Sequence, residues 1–463
     1  MLVKSKPNDL DAYDVIIVGS GPAGCSVAYA LEGSGKRALI IETGGVAYDG
    51  ERQEAFTDMH CLGHFGNRYW ARHWVRSYGG TSAIWGGWCA PLEARDLETW
   101  PIEWAELADH YPTAAKLVDR ENSILKARHS HIDGFDAKPI SDVMDATHFG
   151  NKFERYRTQA GLVDVLLETT VSRLRPNSAR SRVAEIELAF GTDRVVYTLR
   201  PEQSLVLAAG GIGNAQIMLT PFDETGVGVG NENDVVGRYL MEHPHFYDVA
   251  RLVGDVSLLP PSPPSSFGDV VTALIPDDDV YARHGRHGVS IQLHEDQPNF
   301  EDPIERFLIK RHGAGSIVRS ISLATEMLAE PSNRVTLQDG TDPAGLPLVK
   351  TNCIISSETF RHVLGTVNAF SENLIQSGAG RLRLDNEAFF RNVTGGGHIM
   401  GTTRMGTSVK TSVVDADCRV HNYQNLYVAG SSVFTTGGAA NPTLTLVALA
   451  NRLGQHLGGR NVF

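Results

Sequence analysis

His398 stands in "GGGHIMGTTRMG" (395–406), among glycines and threonines where a helix or strand would carry bulk. An imidazole that titrates near pH 6.5 suits a general base at neutral pH, and fits reactions in which a hydroxyl proton is removed. The glycines beside it leave room for a flat ligand and a substrate. The plain alternative is a polar loop histidine. Asn441, in "GGAANPTLT", can hold a hydroxyl but cannot compete for its proton. Followed by Pro442, it also reads as a helix N-cap with proline at N1, directing the positive helix end at whatever lies beyond.

A second constellation opens the chain. "YDVIIVGSGPAGCSVAYALEGSGKRALIIETGG" (13–45) places a short apolar strand, Val15 to Val18, before Gly19, Gly21 and Gly24. A helix follows, then a second apolar run that ends at Glu42. Such glycines let backbone approach a pyrophosphate, the helix N-terminus stabilises its charge, and an acid ~20 residues on reaches ribose hydroxyls. GxGxxG alone is only a tight turn; strand, glycines, helix, strand and acid in order predict a dinucleotide site. An acid without a basic neighbour favours FAD or NAD over NADP. "EQSLVLAAGGIGNAQIMLT" (202–220) and "NLYVAGSSVF" (425–434) supply two more buried strands, so start, middle and end of the chain are expected to build one sheet.

These stretches, with "GGTSAIWGGWCAPLEARDLETWPIEWAELADHY" and "VVGRYLMEHP", resemble the glucose-methanol-choline (GMC) family of FAD-dependent oxidoreductases. The "ANPTLT" ending is most similar to its pyranose-oxidase-like, bacterial sugar-oxidising branch. The resemblance implies an α/β fold: a Rossmann-like FAD-binding domain with a discontinuous α+β substrate domain roofed by an antiparallel sheet. It implies that His398 faces the flavin and takes the hydroxyl proton while hydride leaves the carbinol carbon, with Asn441 as its partner. Hydride leaves more readily from an alkoxide-like carbon, so a base at the hydroxyl is chemically apt. Around the cofactor the expected residues are Gly19, Gly21, Pro22, Ala23, Gly24, Glu42, Thr81, Ser82, Trp85, Val171, Ala209, Gly430, Ser431, Pro442 and Thr443. Ile84 occupies the position where some members carry a histidine bonded to the flavin, so non-covalent FAD is expected.

Other residues invite weaker readings. His243 and His245, in "MEHPHFYD", lack further ligands at sensible spacing and read as structural residues at a domain junction, not a metal pair. Arg72, His73 and Arg76 read as a solvated face, or alternatively as a contact to the cofactor phosphates. "LLPPSPPSSFGD" (258–269) is a gate or a plain surface loop, and "RVTLQDGTDPAGLPLVKTNCII" (334–355) reads as strands roofing the flavin.

A length of 463 residues exceeds one growing core. We expect a FAD-binding domain over 1–245 and 393–463, and a substrate domain over 246–392. The net charge of −12 argues against a nucleic-acid partner and suits a neutral or cationic small substrate. Scattered cysteines, no leader-like N-terminus and no run of ~18 apolar residues lead us to expect a cytoplasmic protein without a membrane span. The function expected is oxidation of an alcohol group of a polyol (sugar, cyclitol, glycoside or aminoglycoside) to a carbonyl. No haem or iron–sulfur spacing is present, so the acceptor is oxygen, a quinone or a separate carrier. The rival readings are a lyase or photoenzyme on the same fold, an NAD-dependent dehydrogenase and a non-catalytic FAD protein.

Overall fold

The computed structural model describes residues 1–459 except 4, 57, 122–127, 143–144, 256 and 259–269. Its first layer is a parallel sheet around β1 (Val15–Val18), all four residues of which are buried. Strand order is Leu426–Val428, Ser204–Leu207, β1, β2 (Ala38–Ile41), Val163–Leu166. Continuous apolar runs suit these strands because helices cover both faces of such sheets. Val18 pairs with both Leu207 and Ile41, and Leu207 with Val428, so the carboxyl ends finish in register. Ligands of open α/β sheets lie outside those ends.

Helix α1 (Pro22–Leu31) follows β1 directly and packs on the last helix, Thr443–Leu457. A Cβ at Gly454 would fall 2.6 Å from Ala30 Cβ, so glycine here is what lets the two helices approach. That packing ties the C-terminal segment to the first glycine turn. The last helix starts at Thr443 with Pro442 as its N-cap, and no side chain caps it. Asn441 is therefore free of the capping role expected for it, because its amide is engaged elsewhere.

The second layer is an eight-stranded antiparallel sheet, in the order Gly380–Leu384, Pro244–Asp255, Ser316–Thr325, Val289–Glu295, Val270–Pro276, Phe135–Asp142 and Arg128–His129, with Val393–Gly395 beside Pro244–Phe246. Helix Ser357–Gln376, begun by Ser356 accepting from Thr359 N–H, covers its outer face. There Phe246, Ile291, Leu323, Val367 and Phe370 form a second core. Period-two alternation turns the neighbours of those residues inward: His245, Tyr247, Gln292, His294 and Ser322 face the cofactor layer.

Two expectations change. The roof is not confined to 246–392, since Phe135–Asp142 pairs along Val270–Pro276. The 334–355 stretch does form two strands, Arg334–Thr341 and Pro347–Cys353, but they join Met59–Gly63 in a separate three-stranded sheet. Val335, Val349 and Cys353 bury into the cofactor-side core, which is why the hairpin goes there and not to the roof. The suspected gate at 258–269 lies almost wholly outside the described residues.

Candidate active site

A cavity of about 680 Å³ runs from the carboxyl ends of the parallel strands to the underside of the antiparallel sheet. At its nucleotide end, Gly19 has φ +106, and a Cβ there would sit 2.4 Å from Ala208 carbonyl oxygen. No other residue fits that approach. Gly21 precedes α1 with no side-chain cap, leaving the first backbone donors of that helix for an anion. Glu42 is buried and accepts from Ser20 N–H (3.0 Å), Ser20 Oγ (2.7 Å) and Gly44 N–H (2.8 Å). A carboxylate has about four acceptor sites, so one stays open to a ribose hydroxyl. Burial raises its pKa, while the Ser20 hydroxyl and these N–H donors hold it down.

Arg76 belongs to this end and not to a solvated face. Its guanidinium lies 3.8 Å over the Trp74 ring, near Glu42 and Asp342, and burial pulls it down to about 10. Its Nη1 is buried without a hydrogen-bond partner although Arg76 lines the cavity. An orphaned cationic donor beside an acid and an open helix N-terminus is what an anionic dinucleotide completes. Of its expected companions, Arg72 is exposed and His73 lies further in, its Nδ1 2.8 Å from Tyr69 carbonyl oxygen.

At the opposite end stands His398. Its backbone N–H donates to both oxygens of buried Glu242 (2.7 and 2.9 Å), which also accepts from His243 N–H (2.8 Å) and Tyr69 Oη (2.5 Å). Tyr69 Oη in turn accepts from Gly397 N–H at 2.7 Å. The glycines before His398 now have a cause: a Cβ would lie 2.1 Å from Tyr69 Oη at Gly395, 2.5 Å from the His398 ring at Gly396 and 2.3 Å from the His73 ring at Gly397. They admit aromatic side chains as well as a ligand. His398 Nε2 lies 3.0 Å from Asn441 Nδ2, and its Nδ1 lies 2.8 Å from His243 Nδ1. Burial first, then His243, His245 and His73, hold the His398 pKa well below 6.5, so the ring is neutral at pH 7.

Most expected cofactor residues line the cavity: Gly19, Gly21, Pro22, Ala23, Glu42, Thr81, Trp85, Val171, Ala209, Gly430, Ser431, Pro442 and Thr443, together with Ile84. Ser82 and Gly24 do not. Ser82 Oγ instead joins Gly79 carbonyl oxygen to Phe149 N–H. A Cβ on Gly24 would come within 2.0 Å of Gly19 carbonyl oxygen, so Gly24 serves helix-to-strand packing. His398 and Asn441 meet as expected. Tyr69, Glu242 and the roof residues Gln292, His294 and Ser322 were not singled out in the sequence, and of the two readings of Arg76 the contact at the cofactor end is the one its position favours. His243 was read as a junction residue; the available signal was a second histidine-bearing motif, "MEHPHFYD".

Among the described residues, no group of three or more His, Cys, Asp or Glu is arranged to hold a metal, and no helix is long and apolar enough to cross a membrane.

The GMC oxidoreductase family matches residues 329–450, and an FAD binding domain matches residues 14–48. The chain is 24% identical over 511 residues to 6'''-hydroxyparomomycin C oxidase of Streptomyces lividus, covering 95% of this chain and 90% of that one. It is 26% identical over 286 residues to 2-methyl-1,2-propanediol dehydrogenase of Mycolicibacterium austroafricanum, a match spanning 55% of this chain and about half (48%) of that protein. Pyridoxine 4-oxidase from Mesorbium loti shares the fold, with TM-score 0.63 at 18% identity over 96% of this chain and 99% of that one. The segment similar to GMC oxidoreductases, 329–450, holds both His398 and Asn441, and the segment similar to an FAD binding domain holds the glycine turn and Glu42: the chain is an FAD-dependent alcohol oxidoreductase that resembles the GMC family.

Proposed function

We propose that the protein oxidises one hydroxyl of a polyol (a sugar, cyclitol, glycoside or aminoglycoside) to a carbonyl, with His398 as the base. The observation that carries this reading is the neutral His398 ring with Nε2 3.0 Å from Asn441 Nδ2 at the wall of the cavity. Bound FAD supplies a two-electron acceptor for hydride from the carbinol carbon. A hydroxyl seated between the two side chains gives its proton to His398 Nε2 and keeps its oxygen on the Asn441 amide. As the proton leaves, charge rises on that oxygen, and the amide donor holds it without competing for the proton.

Hydroxyl recognition falls to the roof. Tyr247, Gln292, His294 and Ser322 all line the cavity and supply neutral donors and acceptors. The acids that line it, Glu42 and Asp342, stand with Arg76 at the nucleotide end. The charge of −12 is therefore not gathered at the described part of the roof, and recognition of hydroxyls is better supported there than recognition of a cation. Relatives named for a hydroxyparomomycin and for a propanediol agree in acting on alcohols.

The test is an anaerobic stopped-flow screen against sugars, cyclitols and aminoglycosides, followed at the flavin band. Bleaching by one class identifies the substrate, and admitting air then tells whether oxygen is the acceptor. Failure of every alcohol to bleach the flavin would overturn the reading in favour of a lyase on the same fold.

A further inference from the structure

His243 is buried in contact with His398, on the face away from Asn441, and alcohol oxidation as outlined gives it no task. The two Nδ1 atoms are 2.8 Å apart. Two nitrogens at that distance share one proton: one ring must carry N–H at Nδ1 and the other a lone pair. Which ring carries it decides whether His398 can act as a base at all, because a neutral imidazole protonated at Nδ1 has its lone pair at Nε2, and the reverse tautomer has none there.

One contact selects the arrangement. Asn441 Nδ2 faces His398 Nε2 at 3.0 Å. An amide nitrogen only donates, so that Nε2 is the lone pair and the His398 proton sits on Nδ1. His243 Nδ1 must then accept, which puts the single proton of neutral His243 on Nε2. That nitrogen is buried with no hydrogen-bond partner, and a Cβ on Gly437 would lie 2.7 Å from it.

We propose that His243 is a positioning residue that sets the tautomer of the base: its Nδ1 accepts from His398 Nδ1–H and leaves His398 Nε2 open to the substrate hydroxyl. When His398 Nε2 takes that proton the ring becomes imidazolium, and its Nδ1–H still donates to His243. The charge therefore forms beside an acceptor already in place. Glu242 fixes the pair in register, since its carboxylate accepts the backbone N–H of both histidines.

This inference rests on the reading of His398 as base, and two measurements separate them. Nitrogen-15 NMR of histidine-labelled, FAD-loaded protein, assigned with His398→Gln and His243→Asn, reads the tautomers directly. The expected result is Nδ1–H on His398 and Nε2–H on His243. Anaerobic flavin reduction is then compared across variants. His243→Ala is expected to slow reduction about 10- to 100-fold, with little change in substrate KM and with loss of the His398 tautomer preference in the NMR. His243→Asn, which can place an oxygen near the former Nδ1, is expected to recover most of the rate. A His398 ring protonated at Nε2 in the parent, a His243→Ala variant as fast as the parent, or an Asn variant as slow as Ala would overturn the proposal. Failure of the base reading shows itself separately, as a His398→Ala variant that reduces flavin at the parental rate.

Discussion

The two ends of one cavity are built on opposite principles. At the nucleotide end the contacts are mostly backbone, supplied by the turn after β1, the uncapped start of α1 and the residues behind the neighbouring strands, with Glu42 and Arg76 as the charged exceptions. At the hydroxyl end they are side chains. Tyr69, Glu242, His243, His398 and Asn441 come from four separate parts of the chain and are joined by hydrogen bonds of 2.5 to 3.0 Å. Backbone cradles tolerate side-chain change but not added bulk. Side-chain clusters fail on single truncations, with the fold and the cofactor left in place.

That contrast can be broken by mutation. His398→Ala should have the largest effect, a loss of about 10²- to 10⁴-fold in anaerobic flavin reduction, the usual contribution of a general base, while the purified protein stays yellow. Asn441→Ala should cost roughly tenfold to a hundredfold in the same assay, the scale of one buried hydrogen bond. At the other end the readout should switch from rate to retention. Gly24→Ala forces a Cβ to within 2.0 Å of Gly19 carbonyl oxygen. It should lower stability by about 1–3 kcal/mol and shed FAD in a dilution or gel-filtration assay, while molecules that keep FAD reduce at the parental rate. Arg76→Met should weaken FAD binding about tenfold in a titration of apoprotein, because the orphaned Nη1 then has nothing to give. Retention of full FAD affinity by that variant would remove Arg76 from the cofactor site.

The smallest effect sharpens the comparison through pH. Burial depresses His243 and His287 to about 3 and His245 to about 4. For these groups the unfolded chain binds more protons below pH 6.5, so the stability they carry is full above 6.5 and is lost as pH falls toward 3–4. Glu242 and Glu326 are pushed up to about 7 by burial. Their native forms bind more protons between about 4.5 and 7, so the stability they contribute is full below 4.5 and is lost as pH rises through 7. The two sets oppose each other from 4.5 to 6.5. Thermal melts from pH 4 to 8 should show a shallow dependence in that window and a steeper fall in Tm below it. A steep monotonic rise in Tm from 4.5 to 6.5 would mean that the two glutamates do not hold their protons.

Legibility in the sequence followed the range of the interactions. The glycine turn, Glu42 and the buried strands are local signals, and the structure places each of them at the carboxyl edge of one sheet. His398 and Asn441 were visible because glycines and a proline isolate them in short motifs. Arg76 was left between a solvated face and a phosphate contact because its neighbours in sequence, Arg72 and His73, suggest a basic surface, whereas Glu42 and Asp342, the charges that face it, arrive from the fold. His243 was passed over for a related reason. A histidine read without its neighbour in space is only a polar residue, and its neighbour lies 155 residues further along the chain. The hairpin at Arg334–Cys353 was correct as strands and wrong as to sheet, since an alternating pattern reports which residues are buried but not which core receives them.

By itself, then, the sequence determined the parallel-sheet cofactor domain, the dinucleotide turn and the two residues, His398 and Asn441, that meet at the cavity wall. All of these are written in spacing along a strand, a turn or a helix start. The tertiary structure alone decided what surrounds the proposed base. It brings His243 to the Nδ1 of His398 and joins the backbone N–H of both to Glu242. A tautomer depends on which atoms face each other within 3 Å, and no one-dimensional pattern encodes that distance.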